Sequence, residues 1–337
     1  YPQCAPWAVT GLTSVRLPTE SGRSLASATV TPVLHPGSPV SRRRVLVGIG
    51  AGLALAACGG SGGTSAPAPT TSVGGFSLGA RFADGYAAPS VLAAGLPQRA
   101  PYVLLDADGW PVPADGPDAL ELVVRRAGSD GAVVATARVA KHGYVDDHGH
   151  HHATAYYPLV FTPPEPGDYR VDGVGLKAGH DLRVVDPDTL DLVQVGDPLP
   201  AVETPTGADH RGVEPICTQP AGTCPFHQVT VTEALGRPGP TALLVSTPRF
   251  CQQDVCGPTI DLLAAALEGR PGNWDAIHAE VYVAPDDADF STTPVVAALG
   301  LTFEPTLVVA DADGTITAAV HFTMDATEVA AALDTAG

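Results

Sequence analysis

The sequence is poor in aromatic and in charged residues, and poorest in basic ones. Aromatic side chains make up 6% of the 337 residues, and charged side chains make up 16%. Lys and Arg together number 18 against 36 Asp and Glu, which gives a formal net charge of -18. A surface with this surplus of negative charge repels phosphate groups, so nucleic acid is not an expected partner. Hydrophobic residues reach 45%, which supports a packed core and excludes wholesale disorder.

Long hydrophobic runs are also missing near the start of the chain. The uncharged stretch 45–57 is too short to cross a bilayer of roughly 30 Å as a helix. It follows Arg42, Arg43 and Arg44, and it ends in small residues before Cys58. A basic cluster ahead of a short apolar segment and a small-residue site predicts an export signal.

The paired arginines resemble a twin-arginine signal, and Leu55-Ala56-Ala57-Cys58 resembles a bacterial lipobox. This resemblance implies that Cys58 is lipidated and anchors the protein to the outer face of the cytoplasmic membrane, in the cell envelope. We therefore expect residues 1–40 to be an over-extended, disordered start and residues 41–58 to be the signal. Residues 59–75, rich in Gly, Ser, Thr and Pro, are expected to be a flexible linker.

Residues 76–195 show the alternating pattern of strands. We predict strands at 102–105, 120–126, 132–139, 156–161 and 169–174. The turn that leads into Tyr169 resembles one in immunoglobulin-like sandwiches, where a tyrosine packs back against the loop. The prediction is an immunoglobulin-like β-sandwich of about seven strands.

After a predicted linker at 196–210, residues 211–337 alternate between strands and helices. Strands are predicted at 242–247, 277–283, 306–310 and 315–322, and helices at 258–267 and 293–299. Thr230 with Glu233, and Asp325 with Glu328, have the spacing of helix N-terminal caps. These patterns predict an α/β domain, so the chain as a whole is expected to be a multidomain α+β protein.

Cys251 follows the first of these strands and stands ahead of a helix, and Cys256 lies five positions on. The backbone N–H groups of a helix N-terminus lower the pKa of a nearby thiol and so favour a nucleophilic thiolate. Pro305 directly precedes a later strand. As a set these features resemble the thioredoxin superfamily, above all membrane-anchored lipoproteins of actinobacteria. The resemblance implies that Cys251 is the nucleophile, that Cys256 is the resolving thiol, and that Pro305 is a cis-proline shaping the substrate groove.

The spacing of the pair departs from the usual two intervening residues. In a continuous helix, residues five apart would lie about 140° apart around the axis, too far for a disulfide. A Cys251–Cys256 bond therefore requires Cys251 to lie in the loop, or the first turn to be unwound. The wider spacing also resembles peroxiredoxins, but those need a nearby arginine, and only Arg270 follows Cys251.

Two further groups of residues allow more than one functional interpretation. Cys217 and Cys224, in a Pro/Gly loop, predict a structural surface disulfide. The alternatives are an electron relay with Cys251 and Cys256, or a metal site that combines Cys224 and His227 with those two cysteines. The run His148, His150, His151 and His152 is either a solvated loop or a site for copper or zinc. No other cofactor is expected. His278 and His321 are expected to pack within strands.

These features predict an exported thiol–disulfide oxidoreductase that acts on protein thiols and disulfides outside the cytoplasm. The alternatives are a non-enzymatic cell-surface binding module, in which both cysteine pairs are structural disulfides, and a copper- or zinc-binding protein. Burial of the Cys251 sulfur would favour the binding module.

Overall fold

The computed structural model describes residues 74–80, 91–112, 116–128, 131–143, 155–251 and 256–337. These residues all belong to one compact unit, Thr70–Gly337. The predicted signal with Cys58 and the histidine run 148–152 lie outside the described residues. No helix in the described part of the chain is long and apolar enough to span a bilayer.

The first half of the unit is a β-sandwich. Its strands are β1 (Ser77–Ala80), β2 (Val91–Ala93), β3 (Gln98–Leu105), β4 (Ala119–Arg126), β5 (Val133–Ala140), β6 (Tyr156–Phe161), β7 (Gly167–Gly173) and β8 (His180–Val185). One sheet has the order β1-β3-β6 and the other has the order β2-β8-β7-β4-β5. All pairings are antiparallel except that of β2 with β8.

The two sheets enclose a common core, because alternate side chains of each strand point to the same face. Tyr102 and Tyr157 from one sheet pack in this core with Leu122 and Tyr169 from the other. The Tyr169 hydroxyl donates a hydrogen bond to the backbone oxygen of Glu165 at 2.7 Å. This contact confirms the prediction that Tyr169 packs back against the preceding turn.

The second half of the unit contains both helices and strands. Its elements are α1 (Val231–Ala234), β9 (Thr241–Val245), α2 (Cys256–Leu267), β10 (Asp275–Ala279), β11 (Tyr282–Ala284), β12 (Asp289–Thr292), α3 (Pro294–Ala298), β13 (Thr306–Ala310), β14 (Ile316–His321) and α4 (Ala326–Asp334). The main sheet has the order β10-β9-β13-β14. Strand β10 is parallel to β9, whereas β13 is antiparallel to both β9 and β14.

The main sheet is covered on both faces. Strand β9 is buried at every position, and its Leu243 and Leu244 belong to two different hydrophobic clusters. Helices α2 and α4 pack on one face through residues such as Ile260 and Val329, and α3 packs on the other through Val295. The cysteine-bearing loop leaves the sheet at the carboxyl end of β9, which lies between β10 and β13.

Both predicted helix caps are formed. The Thr230 hydroxyl accepts a hydrogen bond from the Glu233 backbone N–H, and the Glu233 carboxylate accepts one from the Thr230 N–H. The Asp325 carboxylate accepts from the Glu328 backbone N–H. These side chains satisfy N–H groups that the first turn of a helix leaves without partners.

The segment 196–210, predicted to be the linker between the two regions, packs against the second of them. Its Leu199 and Val202 are buried in the core of the second half. The backbone N–H of Gly196 donates to the Ile316 oxygen, and that of Leu199 donates to the Gly314 oxygen, each at 2.8 Å. The segment is packed because these apolar side chains and backbone groups find partners beside β14.

Candidate functional site

Cys251 and Cys256 form a disulfide with a Cα–Cα distance of 6.2 Å. Cys251 lies in the loop after β9, and Cys256 is the first residue of α2. The bond therefore forms as the spacing required, with Cys251 outside the helix. The Cys251 N–H donates to the Thr247 oxygen at 2.9 Å, which turns the loop back toward the end of β9.

The two sulfur-bearing residues differ in their access to solvent. Cys256 is fully buried, whereas Cys251 is half-buried. Because the two sulfurs are bonded, the Cys251 sulfur lies beside the first turn of α2, where free N–H groups favour negative charge. A partner molecule can therefore approach this disulfide from the Cys251 side.

Glu304 places a buried carboxyl group next to the disulfide. One of its carboxylate oxygens and the sulfurs of Cys251 and Cys256 all lie within 4.8 Å of one another. Glu304 also accepts a hydrogen bond from the Thr247 N–H at 2.6 Å. Burial raises the pKa of the Glu304 carboxyl to about 8, and the charge of Glu280 acts in the same direction. Glu304 was not among the predicted site residues, because burial of a carboxyl is not visible in a sequence.

Pro305 lies between Glu304 and the first residue of strand β13. The Glu304–Pro305 peptide bond is cis, and the Pro305 oxygen accepts a hydrogen bond from the Phe322 N–H at 2.8 Å. Because Glu304 reaches both sulfurs, the chain just before Pro305 lies against the disulfide.

A small aromatic surface borders Cys251. Phe290 packs edge-on against Phe250 and Tyr282, with ring centroids 6.0 Å and 5.3 Å away, and Phe290 stays 44% exposed. Arg249 covers the ring of Phe250 at 4.9 Å and is ion-paired with Asp286. Arg270, the arginine considered above for a peroxiredoxin-like site, forms an ion pair with Asp334 of α4 at 2.7 Å.

The predicted disulfide between Cys217 and Cys224 is wrong for this structure, since both cysteines are free and buried. The Cys217 sulfur accepts a hydrogen bond from the Cys224 N–H at 3.5 Å. Interaction with the Cys224 thiol lowers the pKa of the Cys217 thiol, while the same contact raises that of Cys224. The loop folds inward, toward two histidines, and does not close on itself at the surface.

Cys217, Cys224, His227 and His278 form a compact cluster. One ligand atom from each lies within 4.8 Å of every other, and all four residues are buried. The Cys224 sulfur is 3.3 Å from His227 Nε2 and 3.6 Å from His278 Nδ1. The two imidazole nitrogens are 3.4 Å apart. Sulfur and imidazole donors in this arrangement can hold a metal ion.

His227 was predicted as a possible ligand, but together with Cys224 and the Cys251–Cys256 pair. His278 was expected only to pack in its strand. His278 is indeed fully buried in β10. Its backbone N–H donates to the Phe226 oxygen at 2.9 Å, which brings β10 beside the loop that ends at His227. His227 and His278 are 51 residues apart in the sequence, so no local spacing motif could identify them as neighbours.

The other histidine candidates have different outcomes. His321, in β14, is half-buried, and its Nδ1 lies 3.2 Å from the Thr306 hydroxyl. Burial lowers the pKa of His321 to about 3, with a smaller effect from Arg99, so it packs as a neutral strand residue, as expected. His148, His150, His151 and His152 lie outside the described residues, and their role in binding copper or zinc stays a prediction.

Comparison with known proteins gives little further information. No family model matches the chain, and no curated protein matches it. Among solved structures, the Lin-41 filamin domain has 14% sequence identity and a TM-score of 0.20, over 34% of this chain and 94% of that one.

Two other solved structures show similarity. Trypsin-activated alpha-2-macroglobulin from Escherichia coli has 15% identity and a TM-score of 0.21, over 40% of this chain and 8% of that one. A metagenome-derived glycoside hydrolase family 9 endoglucanase has 19% identity and a TM-score of 0.22, over 46% of this chain and 27% of that one. The chain thus spans only a small part of these two proteins. TM-scores this low support no conclusion about fold or function.

Proposed function

We propose that this protein is a thioredoxin-like thiol–disulfide oxidoreductase. The observation that carries the proposal is the Cys251–Cys256 disulfide, which has one accessible and one buried cysteine, at the start of α2. An exchanging disulfide needs one sulfur that a partner can reach and a second that resolves the mixed disulfide. A buried carboxyl within 4.8 Å of both sulfurs adds a group that can accept or donate a proton.

The arrangement of elements supports the same proposal. Strand β9 leads into the cysteine loop and α2, β10 returns parallel to β9, and an antiparallel hairpin and a last helix complete the region. We propose that this order of elements is thioredoxin-like. We also propose that the preceding sandwich is immunoglobulin-like, and that a lipid on Cys58 holds the protein at the outer face of the membrane.

In the proposed reaction the reduced protein acts on a protein disulfide. The Cys251 thiolate attacks one sulfur of the substrate, forms a mixed disulfide, and releases the other substrate sulfur as a thiolate. The Cys256 thiol then loses its proton and attacks the Cys251 sulfur, which forms the Cys251–Cys256 bond and releases the second substrate thiolate. The substrate gains two electrons that the protein dithiol loses, and an external dithiol returns them. The relative reduction potentials determine the direction of exchange.

Glu304 is suited to handle the proton of Cys256. A carboxyl whose pKa is raised to about 8 exchanges a proton readily near neutral pH. Its ionised form can accept the proton of Cys256 as that thiol attacks. The contact with the Thr247 N–H holds the carboxyl in place beside the buried sulfur.

The test is turnover of a protein disulfide with dithiothreitol as the electron donor. We expect Cys251→Ser to reduce the rate to that of dithiothreitol alone, because the attacking thiolate is lost. Cys256→Ser, reduced and then mixed with the substrate after dithiothreitol is removed, should instead accumulate a mixed disulfide, detectable by mass spectrometry. Glu121→Gln changes an exposed carboxyl of the sandwich, away from this site, and serves as the control for turnover. The proposal fails if Cys251→Ser leaves turnover unchanged, or if the Cys251–Cys256 potential lies well below about -300 mV, as structural disulfides do.

A further inference from the structure

We infer that Cys217, Cys224, His227 and His278 bind one Zn²⁺ ion in a closed structural site. Two thiolates and two imidazoles are a ligand set that zinc takes in tetrahedral structural sites. All four residues are buried, so no position is left open for water or substrate. The site lies apart from the disulfide of the proposed redox reaction and does not depend on that proposal.

The distances within the cluster fit a tetrahedral ion. Zinc bond lengths place two nitrogen ligands about 3.3 Å apart, and a sulfur and a nitrogen about 3.6 Å apart. In this structure the nitrogens of His227 and His278 are 3.4 Å apart. The Cys224 sulfur lies 3.3 Å and 3.6 Å from these nitrogens.

The surroundings orient the His278 ring for metal binding. Its Nε2 lies 3.0 Å from the backbone oxygen of Ser246, an acceptor that requires Nε2 to carry the proton. Nδ1, which faces the cluster, is then unprotonated and has a free lone pair. Histidines that bind metals usually donate their second ring nitrogen to a carbonyl or carboxylate in this manner.

The site would attach the loop 217–227 to strand β10. The same loop also contacts the segment that precedes Cys251. Thr218, next to Cys217, donates its N–H to Glu280 at 2.6 Å, and its hydroxyl accepts from the Arg249 N–H at 3.2 Å. Arg249 is two residues before Cys251. A metal ion at Cys217 thus stabilises the loop that presents the reactive sulfur, and it keeps the two thiols of the site from oxidising in an export compartment.

The test is zinc content of the purified full chain, measured by inductively coupled plasma mass spectrometry. The variant with His148, His150, His151 and His152 changed to Ala serves as the parent, because that run could bind metal independently. We expect about one zinc per chain in the parent. Cys251→Ser/Cys256→Ser should keep this zinc, whereas Cys217→Ser/Cys224→Ser should lose it.

Because the double cysteine variant could fail to fold, a conservative change provides a second test. His278 presents Nδ1, the ring nitrogen nearer its Cβ, so the sulfur in His278→Cys can reach the same ion. This variant should retain zinc, whereas His278→Ala should lose it, and cobalt substituted into the parent should show the visible bands of a tetrahedral thiolate site. A purified parent that holds copper, or that contains a Cys217–Cys224 disulfide and no metal, would overturn the inference.

Discussion

At the scale of single residues, the least expected feature is a carboxyl group buried beside a disulfide. Glu304 is only 6% exposed and has one backbone hydrogen bond, from Thr247. Burial of an ionised carboxylate is costly, so the protein keeps the proton on Glu304 up to a higher pH than water does. The group therefore links the stability of the oxidised protein to pH.

We predict that Glu304→Gln flattens the loss of stability that the oxidised protein shows above about pH 5. In the unfolded chain Glu304 loses its proton near 4.5, whereas burial raises its pKa in the folded protein to about 8. Between these values the unfolded state binds fewer protons, so the stabilising contribution, complete below 4.5, declines toward pH 8. The wild type should lose up to about 1.4 kcal/mol per pH unit more than the variant. Urea unfolding at a series of pH values measures the difference.

The oxidised protein is used because its two disulfide-bonded sulfurs do not titrate. Glu280, whose pKa burial raises to about 7, titrates in both proteins, and the loss of its interaction with Glu304 is part of the difference between them. Glu121→Gln, at a carboxyl that is exposed and paired with Arg138, is the control and should follow the wild type. Parallel curves for wild type and Glu304→Gln would show that Glu304 is ionised in the folded state.

At the scale of elements, turns and caps connect the strands and helices through single side-chain contacts. The hydroxyl of Tyr169, at the start of β7, binds the backbone of the preceding turn at Glu165. It holds the turn against a strand that lies between β4 and β8 in the larger sheet. The contact is local in sequence, but it positions a central strand of the sandwich.

We predict that Tyr169→Phe lowers the free energy of unfolding by about 1 kcal/mol, since it removes one buried hydrogen bond and keeps the ring. Tyr102→Phe is the comparison, because the Tyr102 ring is equally buried but its hydroxyl is 3.5 Å from His180, a weak contact. The Tyr102 variant should therefore change stability less. Equal losses in urea unfolding would mean that the Tyr169 hydroxyl adds nothing specific.

At the scale of the whole molecule, the sandwich and the α/β region are joined by a polar contact centred on Arg99. Arg99, in β3, makes two hydrogen bonds to the Glu328 carboxylate of α4, at 2.6 Å and 2.7 Å. It also donates to the backbone oxygens of His321 and Thr323, each at 2.7 Å. The Tyr156 hydroxyl donates to the same carboxylate at 2.6 Å. A planar guanidinium suits this set of acceptors, whereas an ammonium group would not.

We predict that Arg99→Ala destabilises the protein by roughly 3–5 kcal/mol, because it leaves a largely buried carboxylate without its cation. Since the lost contact joins the two regions, their unfolding in urea should separate into two transitions. Circular dichroism and tryptophan fluorescence measure these transitions. Arg138→Ala removes an exposed pair with Glu121 and should cost less than about 1 kcal/mol. A single transition with a similar cost for both variants would contradict the prediction.

Local patterns in the sequence were sufficient to predict many of the strands and helices. Alternation predicted β4, β5 and β6, and the caps at Thr230 and Asp325 marked two helix starts correctly. Both signals arise from residues a few positions apart, where backbone geometry decides which side chains share a face. The loop position of Cys251 also followed from local geometry, because a disulfide has a limited span.

Contacts between distant parts of the chain could not be predicted in this way. The burial of Glu304 beside the disulfide, the packing of segment 196–210 along β14, and the meeting of Cys217 with His278 all depend on which strands become neighbours. Strand order is determined by the packing of the complete core, and a short window of sequence contains little of that information. The sequence by itself thus identified the Cys251 and Cys256 pair and the local elements. Only the folded chain determined which cysteines bond to each other and which turn inward toward histidines.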